Sequence, residues 1–271
     1  MESIDVSVIM PVFNERDTVA AVIRRVLSQV PLSLELIAVD DGSTDGSGEI
    51  LDDLASKDAR ISVIHQPNGG KTAALKSGFA HSRGKVVIIQ DADLEYDPAE
   101  ILHVVQPILD NFADVVYGSR FLVRRASRVL YFYHYVANRF LTLLSNVLTN
   151  LNMTDVETGY KALRGDIIRN MVIHSRGFGI EIEITAKVSK LDAVIYEVPI
   201  SYYGRTYKQG KKIGMKDGLF ALWYILRFNL LCNLDNSFRE IPKLNGIQNR
   251  EFTQTPATAV SPNTKAHRVS G

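Results

Sequence analysis

The stretch Val86-Val-Ile-Ile-Gln-Asp-Ala-Asp-Leu-Glu95 constrains this chain more than any other. Its apolar, β-rich half reads as a strand buried on both faces, and it ends in two carboxylates one residue apart. A buried parallel strand delivers such residues to the rim of its sheet. The same pattern occurs earlier, where Leu34-Glu-Leu-Ile-Ala-Val39 runs into Asp40-Asp-Gly-Ser-Thr-Asp45. Hard oxygen ligands such as Asp91 and Asp93 suit Mg²⁺ or Mn²⁺. These ions take one or two protein carboxylates and leave the remaining positions to water and phosphate oxygens. A metal bridged to a diphosphate is one reading of the pair, and a polar turn after a strand is the other.

The rest of the chain supplies the alternation that such a strand needs. Val6 to Met10 predicts a first strand, and Pro11 to Glu15 the loop leaving it. A helix is expected from about Thr18, whose hydroxyl would cap it ahead of Val19, Val22, Ile23, Val26 and Leu27. Ile50, Leu51 and Leu54 mark the next helix, Ile61 to Ile64 a third strand, and Pro67-Asn-Gly-Gly70 a turn into a helix from Lys71 to about Ser82. The two glycines would let backbone N–H groups approach an anion at that helix start. Pro98 opens a helix after the Val86 strand, and Asp114-Val-Val-Tyr-Gly-Ser119 follows. The order predicts the α/β class, with βαβ units, a mostly parallel Rossmann-like sheet and helices on both faces. Ligands of such sheets bind beyond the carboxyl ends of the strands, so Pro11, Asp41 and Asp91 should share one site.

After Arg120 the pattern changes. From Val129 to Leu148, apolar residues (Val129, Phe132, Tyr133, Val136, Phe140, Leu143, Leu144, Val147) recur at three and four residues, while His134, Asn138, Thr142, Ser145 and Thr149 fall on the other side. Arg124, Arg125 and Arg128 precede this amphipathic helix, expected over about 126–150. It suits a membrane surface or packing on the domain's own core equally well. Asp155 to Arg164 reads as a turn entering a strand, Phe178 to Val188 as a helix carrying Glu181 and Glu183, and Val194 to Val198 as a last strand halted by Pro199. A basic loop holds Arg205, Lys208, Lys211 and Lys212. A second apolar segment, about 216–234, is shorter than the roughly 20 apolar residues of a spanning helix. From 236 the apolar pattern fades, so one domain over 1–235 and a disordered 236–271 tail are expected.

Composition narrows the function. With 271 residues, 46% hydrophobic, the chain can bury a sizeable core, and a formal net charge of +1 gives no overall preference for nucleic acid. Cys232 is the only cysteine, which excludes an intrachain disulfide and makes a reducing, intracellular compartment the expectation; no secretion signal is read at the N-terminus. Acids at a sheet rim, a divalent metal and a late basic loop suit a reaction in which a nucleotide diphosphate departs.

Ser7-Val-Ile-Met-Pro-Val-Phe-Asn-Glu15, Val39-Asp-Asp-Gly-Ser-Thr-Asp45, Asp91-Ala-Asp93, Tyr117-Gly-Ser-Arg120 and Tyr203-Gly-Arg-Thr-Tyr-Lys-Gln-Gly-Lys-Lys212 together resemble glycosyltransferase family 2. Within it, the arrangement is most similar to the dolichol-phosphate mannose synthase group and its bacterial polyprenyl-phosphate relatives, over roughly residues 5 to 230. The resemblance implies a GT-A fold, a nucleotide-sugar donor such as GDP-mannose or UDP-glucose, inversion at the anomeric carbon, and a polyprenyl phosphate acceptor at the cytoplasmic face of a membrane. It further implies that the two amphipathic helices attach the enzyme peripherally.

By position, Pro11, Phe13, Glu15, Val39 and Asp41 would contact the nucleotide, while Asp91, Ala92 and Asp93 would meet the diphosphate and sugar. Asp91, Asp93 and Glu95 would hold Mg²⁺ or Mn²⁺, and Arg120, Arg205 and Lys211 would bind phosphates. Asp93, Arg120 and Asp155 form the implied catalytic set, with Asp155 orienting the acceptor and Glu181 in reserve. Two positions depart from the group: Glu95 stands where glutamine is familiar, and Phe13 where tyrosine is. Two other readings remain open at this point: transfer to a saccharide or protein hydroxyl, which would need a true general base, and a non-catalytic binding module.

Overall fold

The computed structural model describes residues 3–122, 131–205 and 215–244. Its centre is a seven-stranded sheet of β1 (Val6–Val12), β2 (Leu34–Asp40), β3 (Ile61–His65), β4 (Val86–Ile89), β5 (Val115–Ser119), β6 (Lys161–Arg164) and β7 (Ile195–Pro199), in the order β3-β2-β1-β4-β6-β5-β7. The helices are α1 (Val19–Gln29), α2 (Ser47–Lys57), α3 (Lys71–His81), α4 (Ile101–Leu109), α5 (Phe132–Thr149), α6 (Gly165–Asn170), α7 (Ile180–Val188) and α8 (Met215–Leu230).

Strands β1, β2, β4 and β5 are buried on both faces, as continuous apolar runs require, while the edge strands β3 and β7 are partly exposed. Val6, Val8, Met10 and Val12 of β1 enter one core cluster while Ile9 enters the other, and Val86 and Ile88 of β4 divide in the same way from Val87 and Ile89. The first cluster is closed by α1 and α4 through residues such as Val22, Ile23, Val26, Val104 and Val105, and the second by α3, α6 and α7 through Leu75, Phe79, Ile167 and Ile184. Thr18 stands at the α1 N-cap, but its hydroxyl makes no cap; it donates to the backbone and side chain of Glu15 instead.

Strand β6 is the exception to the parallel rule. It lies between β4 and β5 and runs antiparallel to both, with Leu163 opposite Val87 and Val115. An antiparallel strand begins at the rim where its parallel neighbours end. The turn entering β6, Asp155 to Tyr160, is thereby carried to the carboxyl edge beside Asp91 and Arg120.

Helix α5 takes one of the two facings its periodicity allows. Its polar side turns inward: Thr142 and Ser145 are buried, Asn138 donates to Asp155, and the Thr142 hydroxyl accepts from Val156 N. Phe132, Tyr133, Phe140, Leu143 and Val147 are exposed, as are Leu219, Phe220, Trp223 and Leu230 of α8. The two helices join through Leu141, Leu144, Ala221 and Ile225, packed with Val156 and Ile182. No helix among the described residues is long and apolar enough to cross a membrane.

Packing continues past residue 235. Phe238 and Ser237 are buried, Phe238 forms a β-bridge with Met171, and Arg164 donates to the Lys243 carbonyl. An apolar anchor of one phenylalanine is enough to hold a short segment whose composition reads as polar. Residues 245–271 of the expected tail, and 126–130 and Lys211 of the other expectations, lie outside the described residues.

Candidate active site

A cavity of about 400 Å³ opens at the carboxyl ends of β1, β2, β4 and β5. Pro11, Phe13, Glu15, Asp41, Asp91, Ala92, Asp93, Glu95, Arg120 and Arg205 line it, so the sheet gathers ten of the residues singled out in the sequence. The loop carrying the acids turns sharply: Leu94 adopts a left-handed φ of 61°, and Asp93 Oδ1 accepts from Glu95 N at 3.1 Å. A bulky residue in that region stores strain, a recurrent feature of loops that aim functional side chains.

Each acid meets a cation. Asp91 lies 3.0 Å from the Lys71 ammonium, which also reaches Glu181 at 3.1 Å. Burial disfavours the charged ammonium, but Asp91 and Glu181 outweigh it and hold Lys71 above its usual range. Arg205 donates to Asp93 at 2.8 Å and to both oxygens of Glu15 at 3.1 and 3.2 Å. Burial, then the neighbouring charges of Asp91 and Glu95, pushes the Asp93 carboxyl up to about 6. This excess of negative charge is an environment that favours a bound cation.

Glu95, expected with the metal, lines the cavity and has partners of its own. Its carboxylate accepts from the Tyr202 hydroxyl at 2.7 Å and from Arg205 N at 2.6 Å, so it pins the 202–205 segment over the site. Among the described residues, no three carboxylate, imidazole or thiol groups converge as a metal cage. Asp91 and Asp93 alone fit Mg²⁺ or Mn²⁺, which need only one or two protein carboxylates.

Asp155 also differs from expectation. It is fully buried, does not line the cavity, and receives Arg120 Nε at 2.6 Å and Nη2 at 2.7 Å. Burial raises its carboxyl, but the Arg120 charge and hydrogen bonds hold it below the ordinary value. Its reach ends at Arg120, whose guanidinium faces the cavity beneath the Tyr202 ring at 5.2 Å. Val39 is likewise absent from the cavity; its side chain lies in the core with Ile9 and Ala74.

Asp41 lines the cavity but is already engaged. It accepts from Gln66 Nε2 and from the backbone of Gly69 and Gly70 at 2.7 to 2.9 Å, using three of about four acceptor positions. Gly70 has φ 83°, a conformation open to glycine at little cost, and this aims its N–H at Asp41.

The lining residues not singled out from the sequence include Lys71, Tyr96, Glu157 and Tyr202. Lys71 had a signal, as the basic residue closing the Asn68-Gly-Gly motif at a helix start. Glu157 had none, because only the antiparallel setting of β6 brings its turn here. Gly159 on that turn sits so close that a Cβ there would lie 3.0 Å from Asp91 Oδ2.

Comparison with known proteins agrees with the fold. The family described as Glycosyl transferase family 2 matches residues 7–171. The undecaprenyl-phosphate mannosyltransferase of Micrococcus luteus is 30% identical over 244 residues, covering 82% of this chain and 97% of its own. The polyprenol monophosphomannose synthase of Mycolicibacterium smegmatis is 29% identical, covering 79% and 84%. Among solved structures, the glucosyl-3-phosphoglycerate synthase of Mycobacterium tuberculosis in complex with UDP superposes with a TM-score of 0.64 at 21% identity, over 83% of this chain and 79% of that one. That synthase has also been crystallised with Mn²⁺ and with Mg²⁺. The chain belongs to glycosyltransferase family 2 and is a glycosyltransferase of GT-A fold.

Proposed function

We propose that the enzyme transfers a hexose, with inversion, from a nucleotide-diphosphate sugar to a polyprenyl phosphate at the cytoplasmic face of a membrane. The observation that carries this reading is the ring of alternating charges in the cavity: Asp91 and Asp93 with Lys71, Arg205 and Arg120. Relatives covering most of the chain act on undecaprenyl or polyprenol phosphate by name, which supports the acceptor class.

In this reading Phe13, Pro11 and Asp41 hold the nucleotide, and Lys71 and Arg205 meet its phosphates. Asp91 and Asp93 would hold Mg²⁺ or Mn²⁺, which supplies positive charge to the leaving diphosphate. Arg120, aligned by Asp155, orients the acceptor phosphate, and Lys211 lies on the segment leading from Arg205. An acceptor phosphate oxygen bonds to the anomeric carbon, and the electron pair of the broken C–O bond leaves with the diphosphate. A phosphate monoester has its second pKa near 6, so at neutral pH it is a nucleophile without a strong base. This suits a site in which Asp155, the acid paired with Arg120, is locked in an ion pair.

The outward apolar faces of α5 and α8 support peripheral membrane attachment, because the two helices pack on each other and both expose large apolar side chains. The catalytic domain would extend to at least residue 244 in place of 235. The test is transfer from radiolabelled GDP-mannose and UDP-glucose to detergent-solubilised undecaprenyl and dolichyl phosphate with Mg²⁺ or Mn²⁺. An organic-extractable labelled lipid is expected. Its absence with every common nucleotide sugar overturns the reading.

A further inference from the structure

One wall of the cavity takes no part in the charge ring. Gly177 and Phe178, from the loop between α6 and α7, line it together with Gly70 and Lys71 at the start of α3. The Gly177 carbonyl accepts from the Thr72 hydroxyl at 2.9 Å and from Thr72 N at 3.3 Å. The loop is thereby fastened to the first turn of α3. Lys71, the residue before Thr72, is the one that holds Asp91 at 3.0 Å.

Two side chains from different helices fix this loop. Glu183 of α7, fully buried, accepts from His174 N and Ser175 N at 2.7 to 3.0 Å. Its charge is met at 2.6 Å by the equally buried Lys187, which also donates to the Val172 carbonyl. Removing either member would leave a buried charge without its partner, so this anchor serves the fold. Tyr224 of α8 is the second anchor. Its hydroxyl accepts from Arg176 N at 3.2 Å, and its ring lies so close to Gly179 that a Cβ there would stand 2.3 Å from a ring carbon. The ring is stacked on the buried Phe228 at 5.5 Å, which sets its plane. Arg176 is exposed, so water can satisfy its N–H if the hydroxyl is lost. The fold does not need this hydrogen bond, but the position of residues 176–179 depends on it.

Resting on the proposed donor reading, we propose that Tyr224 is a positioning residue for the donor diphosphate. Its hydroxyl holds the 176–179 wall, the Gly177 carbonyl holds Thr72, and the start of α3 in turn keeps the Lys71 ammonium where it serves both Asp91 and the phosphates. Tyr224 thus acts on the site through backbone, from a helix whose other face exposes Leu219, Phe220 and Trp223.

Calorimetric titration of the full chain with UDP and with GDP, in Mn²⁺, tests the assignment at the two ends of the relay. Tyr224→Phe keeps the ring and removes the hydroxyl; Thr72→Val removes the hydroxyl that reaches Gly177. Each is expected to weaken binding of the diphosphate that the wild type prefers by about threefold, within the range of one neutral hydrogen bond. The double variant should lose no more than the weaker-binding single one, because a loop released at one end no longer transmits from the other. Urea unfolding without nucleotide should show every variant folded. Unchanged affinity in Tyr224→Phe, or losses that multiply to about ninefold in the double variant, overturns the positioning role. If the wild type binds neither diphosphate, the donor reading itself fails and the role falls with it.

Discussion

Arg120 and Asp155 form a two-pronged ion pair, Nε to Oδ2 at 2.6 Å and Nη2 to Oδ1 at 2.7 Å, in which the acid is fully buried and the guanidinium faces the cavity. Asp155 is itself steadied by Asn138 of α5, so the helix with the exposed apolar face touches the same pair. An arginine held by both prongs keeps one orientation, which a lysine at the same place would not.

Removing the acid should therefore cost both stability and function. Asp155→Ala leaves a buried guanidinium without its partner and is expected to destabilise by about 3–5 kcal/mol, read by urea unfolding. The pH dependence has a definite sign. Because the folded carboxyl lies below its ordinary value, its contribution is complete above the unfolded pKa of about 3.9 and disappears as pH falls through the lower folded value. Wild-type stability should fall over that acid range, and the variant should lack this component.

At Asp93 the effects should oppose each other. Its carboxyl is raised by burial and by Asp91 and Glu95, so ionising it costs the metal-free protein stability as pH climbs from about 4 toward 6. Asp93→Asn is expected to raise the melting temperature at pH 7 in EDTA and to lower transferase activity at least a hundredfold. EDTA alone should abolish wild-type activity, with recovery on adding Mg²⁺ or Mn²⁺. Full activity in the variant would remove Asp93 from the site.

Gly159→Ala tests how tightly the β6 turn meets the acids. The added methyl would lie 3.0 Å from Asp91 Oδ2 and 3.3 Å from the Tyr96 ring, closer than ordinary contact. The expected outcome is weaker divalent-ion and nucleotide binding, about tenfold by calorimetry. The circular dichroism spectrum should be unchanged.

The exposed faces of α5 and α8 predict a surface phenotype. Phe140→Ser combined with Trp223→Ser alters exposed residues, so the melting temperature should change little. Sedimentation with liposomes should drop by tenfold or more, since each large apolar side chain contributes about 1.5–3 kcal/mol when buried. Transfer to a short, water-soluble prenyl phosphate should persist while transfer to lipid in vesicles falls. Equal sedimentation of wild type and variant would leave these faces without a role at the membrane.

Much of the site was legible because parallel sheets place consecutive strand ends on one rim. Pro11, Asp41, Asp91 and Arg120 each follow a strand, and the cavity collects all four. Val39 does not line the cavity, because alternation along β2 sends its side chain into the core. The resemblance put Glu95 with the metal and Asp155 with the acceptor, and each carboxylate also holds a partner distant in sequence, Tyr202 and Arg120 respectively. The facing of α5 was undecided for the same reason. Periodicity defines two sides of a helix, but only the position of Asp155 and Val156 showed that the polar side faces inward.

Local sequence thus determined the strands, most helices and the acidic rim, since these depend on the apolar period and on turn residues within a short window. The tertiary structure decided which charges are spent on one another. It set β6 antiparallel, brought Glu157 beside Glu181, and tied Asp155 to Arg120. The physical reason is that hydrogen bonds and ion pairs act over about 3 Å, whatever the separation along the chain, so their pairing is readable only once the chain has folded back on itself.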